Sequence, residues 1–420
     1  MKNSRELTVL LLQTILEEKI FASEAKSKIL PPDHPDQAFI NMLLQTGLRH
    51  FNYIQSIIKT FTHKKNPKNS QITFYALTLA TAEFIYLNTP DYAIINTYVD
   101  IVKKHQNKYI AGFTNAVLRK ICAEKQRFKQ ENNQQFFPQE FRRLLNNSYN
   151  KKTVSAIEKA SIKEPSLDLS VKDSFELENS QKLPLGSIRI PNNGNITQIK
   201  GYSQGLWWVQ DFSSALPVNL LNNLTEKKVL DVCSAPGGKT AQLLAKGAKV
   251  TAIDISASRL KRLEENLSRL NLQTEATICA DALSWLDNCQ DELFDIVLLD
   301  APCSATGTLR RHPELVHIKN LKDVEQMANI QNQMLKKAIH TIKKGGKLIY
   351  CTCSLSKQEG EQQISAFLQQ HPEFKTSIIN LPLELQELKT PEGWIRILPS
   401  HLNQFGGADG FFIAILDKEN

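Results

Sequence analysis

The sequence predicts a multidomain protein in which an all-α part is followed by a small α+β part and then by a doubly wound, Rossmann-like α/β domain. Three observations support this prediction. Apolar residues recur at helical spacing in the first third of the chain, strand-like alternation begins near residue 166, and strands alternate with helices from about residue 206. A length of 420 residues also favours two or three domains over a single core.

The all-α part is expected to span residues 1–143. Leu7, Leu11 and Ile15 follow the apolar spacing of a helix, and Pro90 ends a later segment of the same kind. The predicted helical segments are 7–15, 39–48, 72–87, 91–104 and 109–129.

A small α+β part is expected over residues 144–205, attached to the domain that follows. After a short helix at 154–160, residues 166–171 alternate as a strand does, and residues 183–190 indicate further β structure.

The remaining residues, 206–420, alternate between strands and helices. Predicted strands lie at 228–232, 249–254, 276–279, 294–300 and 346–351, with helices from about 239 and at 257–270 and 324–342. The near-continuous apolar run at 294–300 is typical of a buried parallel strand. Because parallel strands need crossover helices, this order predicts a doubly wound sheet.

The net charge of +8 is concentrated at the start of the chain. Residues 1–150 hold 20 Lys and Arg against 12 Asp and Glu, whereas residues 151–420 hold 31 of each. Such an excess in one module is typical of proteins that bind a phosphate backbone, although a basic surface without that role would give the same count.

The sequence contains neither an apolar run of roughly 18 residues nor a signal-peptide pattern, so we expect a cytoplasmic protein. Its seven cysteines are odd in number and lack the spacing of a disulfide framework, which favours a reducing compartment. Cys351 and Cys353 resemble half of a metal site, but no second Cys or His pair supports them, and we expect no metal.

A glycine-rich turn joins the first predicted strand of the α/β domain to a helix. It reads Asp231-Val232-Cys233-Ser234-Ala235-Pro236-Gly237-Gly238-Lys239-Thr240. It is not a P-loop, because Cys233 occupies the place of the first glycine, and the dinucleotide fingerprint G-x-G-x-x-G is absent. Its glycines let the backbone approach a ligand closely, and a cofactor without phosphate, such as S-adenosylmethionine, fits best.

Acidic residues end three successive strands of this domain. Asp254 lies 23 residues after Asp231, near the ~20-residue offset at which a carboxylate meets ribose hydroxyls. Asp281 and Asp300 end the next two strands. Helix capping at strand-to-helix junctions is the alternative for each residue, but three in succession favour a ligand-binding edge.

Two cysteines follow strands at the same edge, Cys303 in Asp300-Ala301-Pro302-Cys303 and Cys353 in Thr352-Cys353-Ser354. A thiolate is the usual nucleophile towards carbon 6 of a pyrimidine, so the pair and the glycine turn suggest methylation of a cytosine by S-adenosylmethionine. Chemistry alone leaves open which thiol attacks. We expect Cys351 to be a small buried hydrophobic residue instead.

Several motifs in combination resemble the Sun/Nop family of RNA cytosine-5 methyltransferases over residues 144–420. These motifs are 231–240, 300–307, 309–313, 350–354 and 408–412. Asn115-Ala116-Val117-Leu118-Arg119, after Ala111-Gly112-Phe113, resembles the NusB-type RNA-binding helical domain. The resemblance implies a NusB-like domain at 1–143, a small RNA-binding subdomain at 144–205 and a class I methyltransferase domain at 206–420.

The resemblance also implies roles for individual residues. Cys353 would be the nucleophile, Cys303 would assist release of the product, and Asp300 would hydrogen-bond the base. S-adenosylmethionine would lie against Cys233, Ser234, Ala235, Pro236, Gly237, Gly238, Lys239, Asp254, Asp281 and Asp300. By its motif position, Lys239 is also a candidate for lowering the pKa of a cysteine.

The substrate implied is small-subunit (16S) ribosomal RNA, bound by a monomer. Transfer RNA as substrate, and a non-catalytic ribosome assembly factor, are the alternatives. The basic run Arg310-Arg311-His312 would hold a phosphate near a flipped base, unless it is a solvated surface loop.

Overall fold

The computed structural model describes residues 3–62, 71–131, 135–172, 175–191, 194–289 and 293–419. The chain forms two compact units. The first comprises Met1–Arg143 and Arg311–Lys319, and the second comprises Leu144–Arg310 and Asn320–Asn420.

The helices, in chain order, are α1 (Ser4–Glu18), α2 (Ala22–Ile29), α3 (Gln37–Arg49), α4 (Phe51–Thr62), α5 (Gln71–Tyr86), α6 (Asp91–His105), α7 (Lys108–Lys129), α8 (Gln139–Asn146), α9 (Lys151–Ser161), α10 (Phe212–Asn219), α11 (Gly238–Ala245), α12 (Ala257–Arg269), α13 (Ala282–Asn288), α14 (Leu315–Ile318), α15 (Leu321–Ala338) and α16 (Glu361–Gln370). The strands are β1 (Leu167–Val171), β2 (Gln181–Lys182), β3 (Ile188–Ile190), β4 (Trp207–Val209), β5 (Lys228–Val232), β6 (Lys249–Asp254), β7 (Ala276–Cys279), β8 (Phe294–Asp300), β9 (Ile342–Thr352), β10 (Phe374–Thr376), β11 (Ile395–Ile397) and β12 (Phe411–Lys418).

The first unit is built around α5, which is buried along nearly its whole length because apolar residues are spread around the whole helix. Its buried carboxylate, Glu83, accepts two hydrogen bonds from the Arg5 guanidinium at 2.8 Å and one from the Tyr98 hydroxyl at 2.7 Å. α7 starts where the Asn107 side chain accepts a hydrogen bond from the Ile110 amide.

The segment Arg311–Lys319 belongs to this helical unit although it lies far away in sequence. Glu314 accepts a hydrogen bond from the Ala22 amide at 3.2 Å, and the His317 ring lies 3.3 Å from the Leu48 carbonyl oxygen. Burial lowers the pKa of His317 to about 4, so its ring is neutral at physiological pH.

A four-stranded antiparallel sheet of order β2-β3-β1-β4 opens the second unit. Its last strand begins at Trp207, just past the residue 205 at which the sequence suggests a boundary. The Asp168 carboxylate accepts two hydrogen bonds from the buried Arg189, at 2.6 and 2.7 Å, and a third from the Phe212 amide at 3.0 Å. This buried pair joins the small sheet to the start of α10.

The main sheet of the second unit has the order β10-β12-β9-β8-β5-β6-β7, with β11 paired to β12. Strands β5 to β9 are parallel, as the sequence predicts, and β12 runs antiparallel between β9 and β10. β10, β11 and β12 were not predicted from the sequence.

The order of the parallel strands reverses beside β5, because β6 and β7 lie on one side of it while β8 and β9 lie on the other. Ligands in such sheets bind at the carboxyl ends of the strands, where the order reverses. That edge therefore carries the ends of β5, β6, β8 and β9.

None of the helices among the described residues combines the length and the apolar character that crossing a bilayer requires.

Replacing Asp168 with alanine would leave the buried Arg189 guanidinium without its carboxylate. We expect the Asp168→Ala change to lower the free energy of unfolding of the second unit by about 3–5 kcal/mol. Urea denaturation followed by tryptophan fluorescence reports this unit alone, because Trp207, Trp208, Trp285 and Trp394 all lie in it.

The exposed pair of Lys182 and Glu176 in the same part of the chain provides the control. We expect Lys182→Ala to leave the urea midpoint unchanged. Equal midpoints for Asp168→Ala and Lys182→Ala would contradict this account of the buried pair.

Candidate active site

The two cysteines singled out by the sequence converge at the carboxyl edge of the sheet. In the parallel pairing of β8 with β9, Asp300 lies opposite Cys351, and the Ala301 amide continues the ladder to the Cys351 carbonyl at 3.0 Å. A few residues further along each chain segment, the sulfur atoms of Cys303 and Cys353 lie 3.3 Å apart. Both are free thiols.

Two glycines hold the loops that carry these thiols. The Gly307 amide donates to the Cys353 carbonyl at 2.8 Å, and the Gly410 amide donates to the Gly307 carbonyl at the same distance. A Cβ atom on Gly307 would lie 1.9 Å from the Gly410 carbonyl oxygen. The segment that leads into β12 thus packs directly on the loop after Cys303, in a space that only glycine fits.

The surroundings of Cys303 disfavour its ionisation. Its hydrogen bond with Cys353, then its burial, and then the charge of Glu359 raise the pKa of Cys303 well above the usual range of a thiol. Cys303 is therefore a neutral S–H group at physiological pH, able to donate its proton to the Cys353 sulfur.

Cys351 is fully buried in the core of the sheet, and its thiol lies 3.4 Å from an oxygen of Asp300. Burial and the Asp300 charge raise the pKa of Cys351 well above the usual range. This thiol packs in the core and supports Asp300.

The glycine turn leaves β5 and enters α11 through two residues with positive φ, Cys233 at 63° and Gly237 at 98°. A Cβ atom on Gly237 would lie 2.8 Å from Leu263, so this position needs glycine for space as well as for conformation. Burial, with the nearby acidic groups, raises the pKa of Cys233 to about 12, which keeps this thiol neutral. Ser234 anchors the turn by donating its amide to the Ile253 carbonyl at 2.9 Å.

Lys239 pairs with Asp300 at 2.7 Å. Burial opposes protonation of this lysine, but the Asp300 carboxylate outweighs burial and raises the pKa of Lys239. The motif position made Lys239 a candidate for activating a thiol; the structure instead places its ammonium group on Asp300 and over the Phe411 ring, 5.2 Å from the centroid. Asp300 remains one-third exposed, so part of its carboxylate faces the edge of the sheet.

Asp254, at the end of β6, is buried and binds backbone on both sides. It accepts hydrogen bonds from the Ala235 amide at 3.1 Å and from the Ser256 amide at 3.0 Å, and it pairs with Arg259 at 3.3 Å. Asp254 thereby joins the glycine turn to the start of α12.

Asp281 makes the contacts of a helix cap. Its carboxylate accepts hydrogen bonds from the amide and the hydroxyl of Ser284, both at 2.9 Å, at the start of α13. These bonds lower the pKa of Asp281, which is exposed at the same edge of the sheet as Asp254 and Asp300.

Asp231, Ile255 and Glu359 also lie at or behind this site, although the sequence did not mark them as site residues. Asp231 is completely buried below the turn and accepts a hydrogen bond from Thr240 at 2.6 Å, and burial raises the pKa of Asp231 to about 7. Ile255 follows Asp254 and is 68% exposed. Glu359 lies fully buried behind the two thiol loops. An apolar residue directly after a strand-end acid is the signal that could have identified Ile255.

A phosphate site would need a guanidinium group exposed at the surface, and Arg310 does not provide one. It is 3% exposed and donates to the Gly406 carbonyl at 2.8 Å. The other two members of the basic run, Arg311 and His312, belong to the helical unit.

Two family models match the chain. One described as "16S rRNA methyltransferase RsmB/F" matches residues 218–417, and one described as "NusB family" matches residues 2–123.

Curated relatives match over nearly the whole length. The chain is 30% identical to ribosomal RNA small subunit methyltransferase B of Photorhabdus laumondii, and the match covers 99% of each protein. The chain belongs to the family of ribosomal RNA small subunit methyltransferase B. A relative of the same name from Proteus mirabilis is 30% identical, with 91% of each protein covered.

Solved structures share the fold. The crystal structure of PH0851 matches with a TM-score of 0.76 at 22% identity and covers 100% of this chain and 99% of its own. A methyltransferase homolog protein from Pyrococcus horikoshii matches with a TM-score of 0.53 at 24% identity and covers 67% of this chain. These comparisons confirm the predicted family, the predicted fold class and the prediction that the chain is an RNA methyltransferase.

Adding a methyl group at Gly307 would force the Cys303 loop away from the Gly410 carbonyl. We expect Gly307→Ala to lower the free energy of unfolding of the second unit by about 1–3 kcal/mol, measured by scanning calorimetry. Gly112→Ala, in α7 of the first unit, is the control for an added methyl group, because a Cβ atom there meets nothing within 4 Å and the unfolding of the second unit should not change. An unchanged unfolding transition for Gly307→Ala would contradict the close approach of these two loops.

Proposed function

We propose that this chain transfers a methyl group from S-adenosylmethionine to carbon 5 of a specific cytidine in small-subunit (16S) ribosomal RNA, through a covalent adduct between Cys353 and carbon 6. The observation that carries the proposal is the pair of free thiols, 3.3 Å apart, at the carboxyl edge of the sheet. A nucleophile and a second ionisable group side by side are what addition to a pyrimidine and later elimination require.

The residues of the glycine turn fit an adenosine-bearing cofactor without phosphate. Gly237 and Gly238 allow close approach of the backbone, and the exposed Ile255 offers an apolar surface for an adenine ring beside Asp254. The residues that would hold S-adenosylmethionine are Cys233, Ser234, Ala235, Pro236, Gly237, Gly238, Lys239, Asp254, Asp281 and Asp300. Its sulfonium group supplies an electrophilic methyl.

In the proposed reaction, the Cys353 thiolate uses its electron pair to form a bond to carbon 6. The double bond between carbons 5 and 6 breaks, and its π electrons make carbon 5 nucleophilic. The two sulfur atoms lie 3.3 Å apart, and a Cys303 S–H group that donates to the Cys353 sulfur would stabilise it as a thiolate. Asp300, fixed by Lys239, would accept a hydrogen bond from the cytosine amino group and so orient the base for attack at carbon 6.

After methyl transfer, carbon 5 must lose its proton to a base so that the double bond can re-form and expel the Cys353 thiolate. The largest cause that keeps Cys303 protonated in the free protein is its hydrogen bond with Cys353. When Cys353 has become a neutral thioether, it no longer favours the protonated form of Cys303, so Cys303 would release its own proton to solvent. The Cys303 thiolate would then take the proton of carbon 5 as the Cys353 thiolate leaves carbon 6.

Ribosomal RNA is the proposed partner for two reasons. The curated relatives named above carry small-subunit ribosomal RNA in their names, and residues 2–123 match the NusB family. The excess positive charge of residues 1–150 suits a module that contacts a phosphate backbone.

Methyl transfer from labelled S-adenosylmethionine to protein-free ribosomal and transfer RNA tests the proposal. We expect the wild type to label small-subunit ribosomal RNA at carbon 5 of cytidine, identified by mass spectrometry of the nucleosides. Cys353→Ala should lower the rate at least about 1,000-fold, because it removes the nucleophile. Cys303→Ala should leave RNA covalently attached to the protein, because elimination lacks its base.

Cys122→Ala, in the helical unit, is the control and should keep the wild-type rate. Wild-type activity of Cys353→Ala would overturn the assignment of the nucleophile. Labelling of transfer RNA alone would show that transfer RNA, and not ribosomal RNA, is the substrate. Absence of any labelling would favour a non-catalytic assembly factor.

A further inference from the structure

A buried carboxylate lies between the two loops that carry the thiols. Glu359 ends the short 3-10 helix Lys357–Glu359, directly before α16, and its side chain is completely buried. It lies six residues after Cys353 in sequence, but it contacts the residues that immediately follow both cysteines.

Glu359 accepts hydrogen bonds from each loop. On the Cys303 side, the Ser304 amide donates to Oε1 at 2.8 Å and the Ser304 hydroxyl donates to Oε2 at 2.5 Å. On the Cys353 side, the Ser354 hydroxyl donates to the same Oε2 at 2.5 Å. One oxygen atom is therefore shared by the neighbours of both thiols.

The carboxylate is also fixed from the core of the unit. The Gln331 side chain, on α15, donates to Oε1 of Glu359 at 3.0 Å and to the Pro302 carbonyl at 2.9 Å. The Tyr350 hydroxyl donates to the Glu359 backbone carbonyl at 2.8 Å. These contacts place Glu359 relative to β9 and α15, so the two loops are held against a rigid part of the unit.

A carboxylate suits this position because it accepts hydrogen bonds on two oxygens and donates none. The four groups that meet it (one amide, two hydroxyls and one side-chain amide) are all donors here. Burying an anion costs free energy unless its oxygen atoms accept hydrogen bonds. The buried carboxylate of Glu359 therefore requires these four donors.

We infer that Glu359 is a positioning residue that holds Cys303 and Cys353 at their short separation and so sets the geometry of the thiol pair. The inference deepens the function proposed above and rests on it for its catalytic meaning. The charge of Glu359 also contributes to the raised pKa of Cys303, which agrees with a carboxylate close behind that thiol.

The rate at which Cys303 and Cys353 form a disulfide measures their proximity without using methyl transfer. Diamide oxidises the two thiols to a disulfide, takes up their two electrons and two protons, and becomes the corresponding hydrazine derivative. The Cys303–Cys353 peptide is quantified by mass spectrometry, with fragmentation to exclude Cys351.

We expect Glu359→Ala to slow formation of this disulfide by about 10-fold or more, because the loops lose their common acceptor and the thiols lose their fixed separation. Glu359→Gln keeps the length of the side chain and one acceptor oxygen, and the serine hydroxyls can rotate to accept from its amide. This variant should form the disulfide within about threefold of the wild-type rate.

Gln362→Ala is the matched control, since Gln362 is exposed on α16 near Glu359 in sequence. Each variant is tested for its melting temperature and for binding of S-adenosylmethionine, which should persist because the glycine turn leaves a different strand, β5. If Glu359→Ala is too unstable to compare, Ser354→Ala removes the hydroxyl that donates to Glu359 from the Cys353 loop, together with its contact to the Ser304 hydroxyl at 3.1 Å, and should also slow the disulfide.

A folded Glu359→Ala protein that forms the disulfide at the wild-type rate would overturn the inference. Equal slowing of disulfide formation in Glu359→Gln and Glu359→Ala would also overturn it, because the hydrogen bonds of Glu359 would then not explain the proximity of the thiols. If Glu359→Ala slows the disulfide but Cys353→Ala still methylates RNA, the positioning role stands and the proposed nucleophile fails. The two ideas can therefore be tested apart.

Discussion

The parallel hydrogen bonds between β8 and β9 set Asp300 opposite Cys351, and the other features of the candidate site depend on that register. β8 is buried from Ile296 to Leu299 and β9 is buried from Leu348 to Thr352, and a shift by one residue would turn these core side chains to the opposite face of the sheet. Because the packing of the core fixes the register, it also fixes the residue at which each strand leaves the sheet. Cys303 and Cys353 meet because both loops start from this one pair.

The register alone does not place the two loops beyond the ends of the strands, and further contacts restrict them. Gly410 and Gly307 pack backbone against backbone, Glu359 accepts from both loops, and Lys239 fixes Asp300 beside them. These contacts use a missing Cβ at Gly307, the buried carboxylate of Glu359 and the ammonium group of Lys239. The site thus combines rigid strands with loops that are held by a small number of buried polar groups.

The local pattern of residues predicted the parallel strands, the glycine turn and the two cysteines, since apolar periodicity and turn residues can be recognised within a few positions of the sequence. It could not predict the partners of Lys239 or Arg310, because these depend on which distant groups the fold brings near: Lys239 meets Asp300, and Arg310 meets the Gly406 carbonyl. Nor could it assign Arg311–Lys319 to the helical unit, since that segment lies among α/β elements in sequence. Glu359 gave no signal, because a glutamate near the start of a helix is usually exposed.

The most direct measurement is covalent trapping with small-subunit ribosomal RNA that contains 5-fluorocytidine, in the presence of S-adenosylmethionine. Fluorine at carbon 5 cannot leave as a proton does, so elimination stops and the nucleophile stays bonded to carbon 6. We expect a protein–RNA adduct whose peptide carries the nucleotide on Cys353, resolved from Cys351 by fragmentation. An adduct on Cys303 instead, or no adduct from an enzyme that methylates normal RNA, would contradict the central assignment of this site.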